Sequence, residues 1–221
     1  MEHLITVRGV GNATISPDLT VILLTIEEEN KNYDKAVAGA AKRINQLEEA
    51  MSKAGFPSGT VKTVRYNVRM KYDYPKDKHG NMKKEFSAYV CVHNLKIEFE
   101  CNPETLAKAI DAIVFCDASM EFNISFTVKN QEAVNEQLLK NAGESAGRKA
   151  EILCEAAGGK LGKLRTIDYN WNEINIFSPT RFTLQDTDVL PYMTTPSIPS
   201  VEIQPEDIKL SDSATFVWEI E

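Results

Sequence analysis

The sequence predicts an α+β fold in which antiparallel sheets are covered by three helices and the N- and C-terminal strands share a sheet. Three observations carry this. Over residues 131–157, Val134, Leu138, Ala142, Ala146, Ala150, Leu153, Cys154 and Ala157 recur at helical spacing. Two shorter helical patterns alternate with segments of period two. The last segment, residues 208–220, places Ile208, Leu210, Ala214, Phe216, Trp218 and Ile220 as a strand. A strand that late must pair with something already formed, and the N-terminal hairpin is the natural partner.

In chain order, residues 4–15 read as a first strand and Ser16-Pro17-Asp18 as a turn. Residues 19–29 form a second strand, rich in β-branched side chains and closed by three glutamates. A helix follows over 33–54, with Ala36, Val37, Ala40, Ile44, Leu47 and Met51 on one side and Gly55 at its end. Strands at 60–71 and 86–99 flank a polar hairpin tip, 72–85. Asn102-Pro103-Glu104 opens a second helix with a cap, a first-turn proline and an acid at the positive end. Residues 118–129 alternate through Met120, Phe122, Ile124, Phe126 and Val128 as a strand, and the long helix comes next. Gly143 and Gly147 interrupt that helix at about 1 kcal/mol each relative to alanine. Their expected role is to let the helix approach a neighbouring sheet closely. Gly158-Gly159 should end it in a left-handed position, before a strand at 161–171.

Residues 172–205 break the pattern. They hold Pro179, Pro191, Pro196, Pro199 and Pro205, with Trp171, Phe177, Phe182 and Tyr192 in or beside them. Long irregular loops in compact domains are usually functional or disordered. The aromatics favour an arm that packs on its own body or on a neighbour. The chain is accordingly expected to be one domain, 1–221, or two packed subdomains, 1–100 with 206–221 and 101–171, with the arm at 172–205.

The composition narrows the function. A net charge of −7 opposes nucleic-acid binding, which rests on neutralising phosphates, and opposes adsorption to anionic membranes. The basic, aromatic hairpin tip (Lys71, Tyr72, Tyr74, Lys76, Lys78, Lys83, Lys84, Phe86) has a single-strand-gripping reading. A solvated hairpin end explains it better in an acidic chain. The longest aliphatic run, Val21–Ile26, is far short of a membrane span. No basic region followed by an apolar stretch opens the chain, so the sequence as it stands predicts a cytoplasmic protein, or a periplasmic one if a leader was removed.

Cys91, Cys101, Cys116 and Cys154 form no CxxC pair and read as small buried hydrophobes. Cys91 and His93 share a strand face and are the one Cys–His pairing available. Asp186 and Asp188 make a weak divalent-cation signal. Gly9-Val10-Gly11 leads to a turn and a strand, not to a helix, so it is no dinucleotide loop. No Walker loop, GxSxG, HExxH or zinc ribbon is present. No catalytic, cofactor or metal residues are expected.

The ordered motifs resemble one family. They are Gly9-x-Gly11 followed by Pro17-Asp18; Lys62-Thr63 opening a strand into a tyrosine-bearing loop; Ala88-Tyr89 leading a long strand; the helix spaced by Ala142, Ala146 and Ala150 with Gly158 and Leu161-Gly162; and a closing strand after a proline-rich stretch. Together, over nearly the whole chain, they are similar to the SIMPL-domain family. The resemblance implies an α+β fold and, for some bacterial members, ring-like or channel-like oligomers. It also implies periplasmic relatives linked to oxidative-stress defence and an animal member in inflammatory signalling. It supplies no catalytic residues. Gln204-Pro205-Glu206-Asp207 stands where relatives tend to have a proline-glycine turn.

The expectation is therefore a non-enzymatic module that forms a homo-oligomer or binds a protein partner, without nucleic acid, cofactor or transmembrane segment. Trp171, Phe177, Phe182 and Tyr192 are its assembly or pocket residues. The alternative is a small-molecule or peptide binder with a pocket between the sheet and the 172–205 arm. A thiol-based stress protein using Cys91 or Cys154 is a third reading.

Overall fold

A computed structural model describes residues 3–76, 81–116, 120–169, 174–184 and 203–221. The described elements include three helices and two antiparallel sheets, as expected, and the chain divides into two compact units.

The first unit comprises Met1–Asp18, Thr127–Pro179 and Pro205–Glu221. Its sheet has the order β1 (Leu4–Ile15), β8 (Ile208–Ile220), β6 (Leu161–Asp168). β1 and β8 run antiparallel over their whole length, from Leu4 opposite Glu219 to Ile15 opposite Ile208, so the terminal strands do share a sheet. Helix α3 (Gln131–Ala156) lies on β1 and β8. The Asn130 side chain caps it by accepting from Ala133 N at 2.9 Å, and Gly158 ends it at φ +79°. Val134, Leu138, Ala142, Ala146, Ala150 and Cys154 are buried, while Leu153, expected on the stripe, is 53% exposed.

The close approach comes from the strand. A Cβ added at Gly9 would sit 2.0 Å from the carbonyl oxygen of Ala142 and 2.8 Å from Ala146 Cβ. One added at Gly11 would sit 1.9 Å from the Leu138 carbonyl oxygen. At Gly147 nothing lies within 4 Å, and at Gly143 only a Phe216 ring atom, at 3.9 Å. The expectation that the helix glycines supply the contact is thus corrected: the glycines of β1 meet the alanines of α3. Asn141 Nδ2 and Lys149 Nζ fix the register by donating to the carbonyls of Asn12 and Arg8, at 2.8 and 3.1 Å. The Pro17-Asp18 turn has a similar role, since an Asp18 carboxylate oxygen accepts from Lys129 N at 2.7 Å.

The second unit comprises Leu19–Phe126 and Thr180–Gln204. The five-stranded sheet has the order β3 (Val61–Asp73), β4 (Glu85–Glu100), β2 (Leu19–Asn30), β5 (Glu121–Thr127), β7 (Phe177–Leu184). Helix α1 (Tyr33–Lys53) packs on β2 and β4 and against α2 (Pro103–Phe115). Alternate residues of the strands, Ile22, Leu24, Ile26, Leu95, Ile97, Phe122, Ile124 and Phe126, join Leu47 and Met51 of α1 and Leu106, Ala109 and Ile113 of α2 in the main core. The β2–β4 register, Ile22 opposite Ile97 and Leu24 opposite Leu95, puts these side chains on one face.

β7 lies inside the stretch expected to be irregular. Its Pro179 has no N–H to give a ladder, and the strand sits at the sheet edge, where that costs nothing.

Candidate functional site

Of the four aromatic residues singled out from the sequence, Trp171 and Tyr192 lie outside the described residues, as do Asp186 and Asp188. Phe177 opens β7 and is 37% exposed. Phe182 is half-buried against the second unit's core, its ring 6.1 Å from that of Phe122. Of the two that are described, Phe182 completes a core and Phe177 is partly exposed. No group of three or more potential metal ligands occurs among the described residues.

The Cys91–His93 pairing resolves differently from a catalytic dyad. Cys91 is fully buried beneath α1, clustered with Ala36 and Ala40. His93 Nε2 lies 2.8 Å from Thr63 Oγ1 of β3, and its ring packs edge-on against Tyr66 with centroids 5.2 Å apart. Its Nδ1 is buried without a hydrogen-bond partner. Burial lowers the His93 pKa below its ordinary value, because the desolvated ring resists charging. Desolvation of its hydroxyl, then a hydrogen bond with Cys91, raises that of Tyr66. Cys116 and Cys154 are buried and Cys101 half-buried. The Cys91 thiol and the His93 ring are thus held by packing and by Thr63 and Tyr66.

His93 sets a pH dependence. Its folded pKa lies below the unfolded value of about 6.5, so the unfolded chain takes up the proton first and stability falls as pH drops through that range. Thermal melts of the wild type and His93→Asn between neutral pH and about pH 5 test this. The variant should lose less of its melting temperature across the interval. Equal losses would remove His93 as the cause.

What the structure exposes is more informative. Against β4, β3 alternates between two irregularities, one between Thr63 and Arg65 and one between Lys71 and Tyr72. Tyr66, Val68 and Met70 stand opposite His93, Cys91 and Tyr89, on the face that carries α1. Lys62, Arg65, Arg69 and Lys71 stand opposite Lys96, Asn94, Val90 and Ala88, on the other face. Because α1 covers β2 and β4, the apolar row of β3 is left open: Tyr66 and Met70 are 48% and 56% exposed, and Val64, at the bulge, 57%. Aromatic contacts extend the shelf, Tyr33 to Tyr89 at 5.7 Å, Tyr89 to Phe86 at 5.0 Å and Phe86 to Tyr72 at 6.2 Å. Lys84 lies 4.0 Å above the Tyr72 ring. On the other face Arg69 and Lys71 reach Glu27 and Glu29 of β2, at 3.7 and 2.8 Å. The sequence showed this alternation but not that α1 stops short of it.

Two further surfaces are open. A groove of about 520 Å³ between α1 and α2 is floored by Ala50, Ala54 and Ala112, with Phe115 on its wall. In the first unit β6 is an edge strand beside which Leu164 and Ile167 are 46% and 54% exposed, and Ile152 and Leu153 of α3 are 66% and 53% exposed.

Comparison with known proteins places this architecture. The model of the SIMPL family, described as a protein of unknown function (DUF541), matches residues 5–218. The chain belongs to the SIMPL family. Among curated proteins it is 26% identical over 160 residues to the 26 kDa periplasmic immunogenic protein of Brucella melitensis, and equally to that of Brucella abortus. The matched region covers 72% of this chain and 64% of those relatives' length. Among solved structures, an uncharacterized conserved protein from Listeria innocua is 10% identical, with 96% of this chain and 92% of that chain covered and a TM-score of 0.19. The SIMPL relatives are named periplasmic, which lends no support to the cytoplasmic expectation. None of the described helices is long and apolar enough to cross a membrane.

Proposed function

We propose that this SIMPL protein is a non-enzymatic interaction module that assembles with copies of itself through the β6 edge of the first unit. The observation that carries the reading is the conjunction at β6 of a strand edge with no partner among the described residues and of Leu164 and Ile167, both about half exposed, in a unit where α3 also exposes Leu153. Unpaired edges template pairing with another chain, and exposed aliphatic side chains supply area to bury. β6 has no proline, and Lys163 and Arg165 are its cations. The relatives' names suggest the periplasm as the compartment.

Light scattering coupled to size exclusion tests assembly directly. The full chain should elute as a defined multimer, and Leu164→Asp/Ile167→Asp should shift it to the monomer mass of 24.7 kDa with its circular dichroism unchanged. A monomeric wild type would sink self-assembly. The alternative, a small-ligand binder, is favoured by the groove between α1 and α2, whose size lies in the range of ordinary ligand sites. A monomeric wild type whose melting temperature rises with an apolar ligand, and whose Ala112→Trp variant does not respond, would favour it.

A further inference from the structure

We propose that the outer edge of β3 is a strand-acceptor site for another protein's extended segment in which apolar and acidic residues alternate. β3 ends the five-stranded sheet, and among the described residues no strand pairs with its outer side. Over Val61–Asp73 its backbone presents unpaired donors and acceptors at a length beyond most natural edge strands.

The side chains say which strand fits. A strand added beside β3 would sort its residues onto the same two faces. On the α1 side they would meet Tyr66 and Met70, each near half exposed or more, beyond the reach of the helix. On the other side they would meet Lys62, Arg65, Arg69 and Lys71. Arg69 and Lys71 already lean on Glu27 and Glu29, whereas no ion pair holds Lys62 or Arg65 among the described residues. The edge strand is thus cationic in a chain of net charge −7. Local charge governs here, because screening confines these interactions to about 8 Å at physiological salt.

The same row argues against a second copy of β3 as the occupant. Antiparallel pairing of two β3 edges in one continuous sheet places like face against like face, so cations would oppose cations, which destabilises cross-strand pairs. Charged edges commonly guard against self-pairing. An acidic partner relieves that repulsion, and main-chain hydrogen bonds with alternate side-chain contacts are how such additions gain affinity and specificity.

This site lies in the second unit, and its test is independent of assembly through β6. A fluorescently labelled peptide of about ten residues, alternating valine with glutamate, is titrated with the full chain and followed by anisotropy. A second peptide has lysine in place of glutamate. The acidic peptide should bind at least about tenfold more tightly, with affinity falling between about 0.05 and 0.5 M salt. Arg65→Glu/Arg69→Glu should invert the preference, and Tyr66→Ser/Met70→Ser should weaken both peptides; all of these positions are exposed, so the variants should fold. Equal affinity for the two peptides, no binding of the acidic one, an unmoved preference in the charge-reversed variant, or a labelled oligonucleotide competing the peptide off would each overturn the proposal. None of these outcomes depends on whether the chain is a monomer or a multimer.

Discussion

Alanine at Gly9 or Gly11 should destabilise the protein by about 3 kcal/mol, while alanine at Gly147 should stabilise it by about 0.5–1 kcal/mol. The contrast follows from where each added methyl would go. At Gly9 and Gly11 it would meet backbone carbonyls of α3 at 2.0 and 1.9 Å, well inside any real carbon–oxygen contact. Backbone cannot rotate aside as a side chain can, so α3 would have to lift from β1. That would strip cover from Val7, Ala146 and Ala150, which are buried together there. At Gly147 there is open space and an ordinary helical backbone, so alanine only narrows the unfolded ensemble. Urea unfolding of the three variants, read as midpoint shifts at constant slope, checks the signs. A neutral Gly11→Ala would mean that α3 does not sit as close to β1 as described.

This pair also shows what the sequence could and could not disclose. The long helix, its Gly158 end and the small residues along it were legible, because a glycine stop and periodicity are local signals. Which glycines make the close contact was not. Gly143 and Gly147 stand out as anomalies in a helix, whereas Gly9 and Gly11 are unremarkable in a strand until its neighbour is known. The Gly9-x-Gly11 motif that pointed to the SIMPL family acquires here a steric reason. β7 was missed because five prolines and several polar residues outweighed the short run Phe177–Leu184, whose Pro179 is tolerable only at an edge. The β3 shelf was missed for a different reason. Its alternation is plain, but burial is set by the helix packed above it, and no local pattern tells how far α1 reaches across the sheet. Tyr66 makes the point: read as part of a strand, it is half exposed.

Phe126→Ala should cost about 3–5 kcal/mol, among the largest losses available from one side chain. Phe126 is 1% exposed, in contact with the cluster formed by Ile22, Leu24, Leu106, Ile110 and Ile124, and alanine would leave a cavity that strands on a fixed register cannot collapse to fill. The alternating run that begins at Phe122 nevertheless does not serve one core. Val128, two residues on, is buried with Val134, Leu138, Ile176 and Ile208 in the first unit. A single stretch of sequence thus feeds two clusters, and the two truncations should differ in place as well as size. Val128→Ala removes fewer atoms and should cost about 1–2 kcal/mol. Hydrogen exchange separates them: Phe126→Ala should weaken protection first in β2, β5 and α2, and Val128→Ala first in the opening turns of α3 and the start of β8. If both variants loosened the same amides, Phe126 and Val128 would belong to one cooperative core, and the division of the chain at this strand would have no energetic meaning.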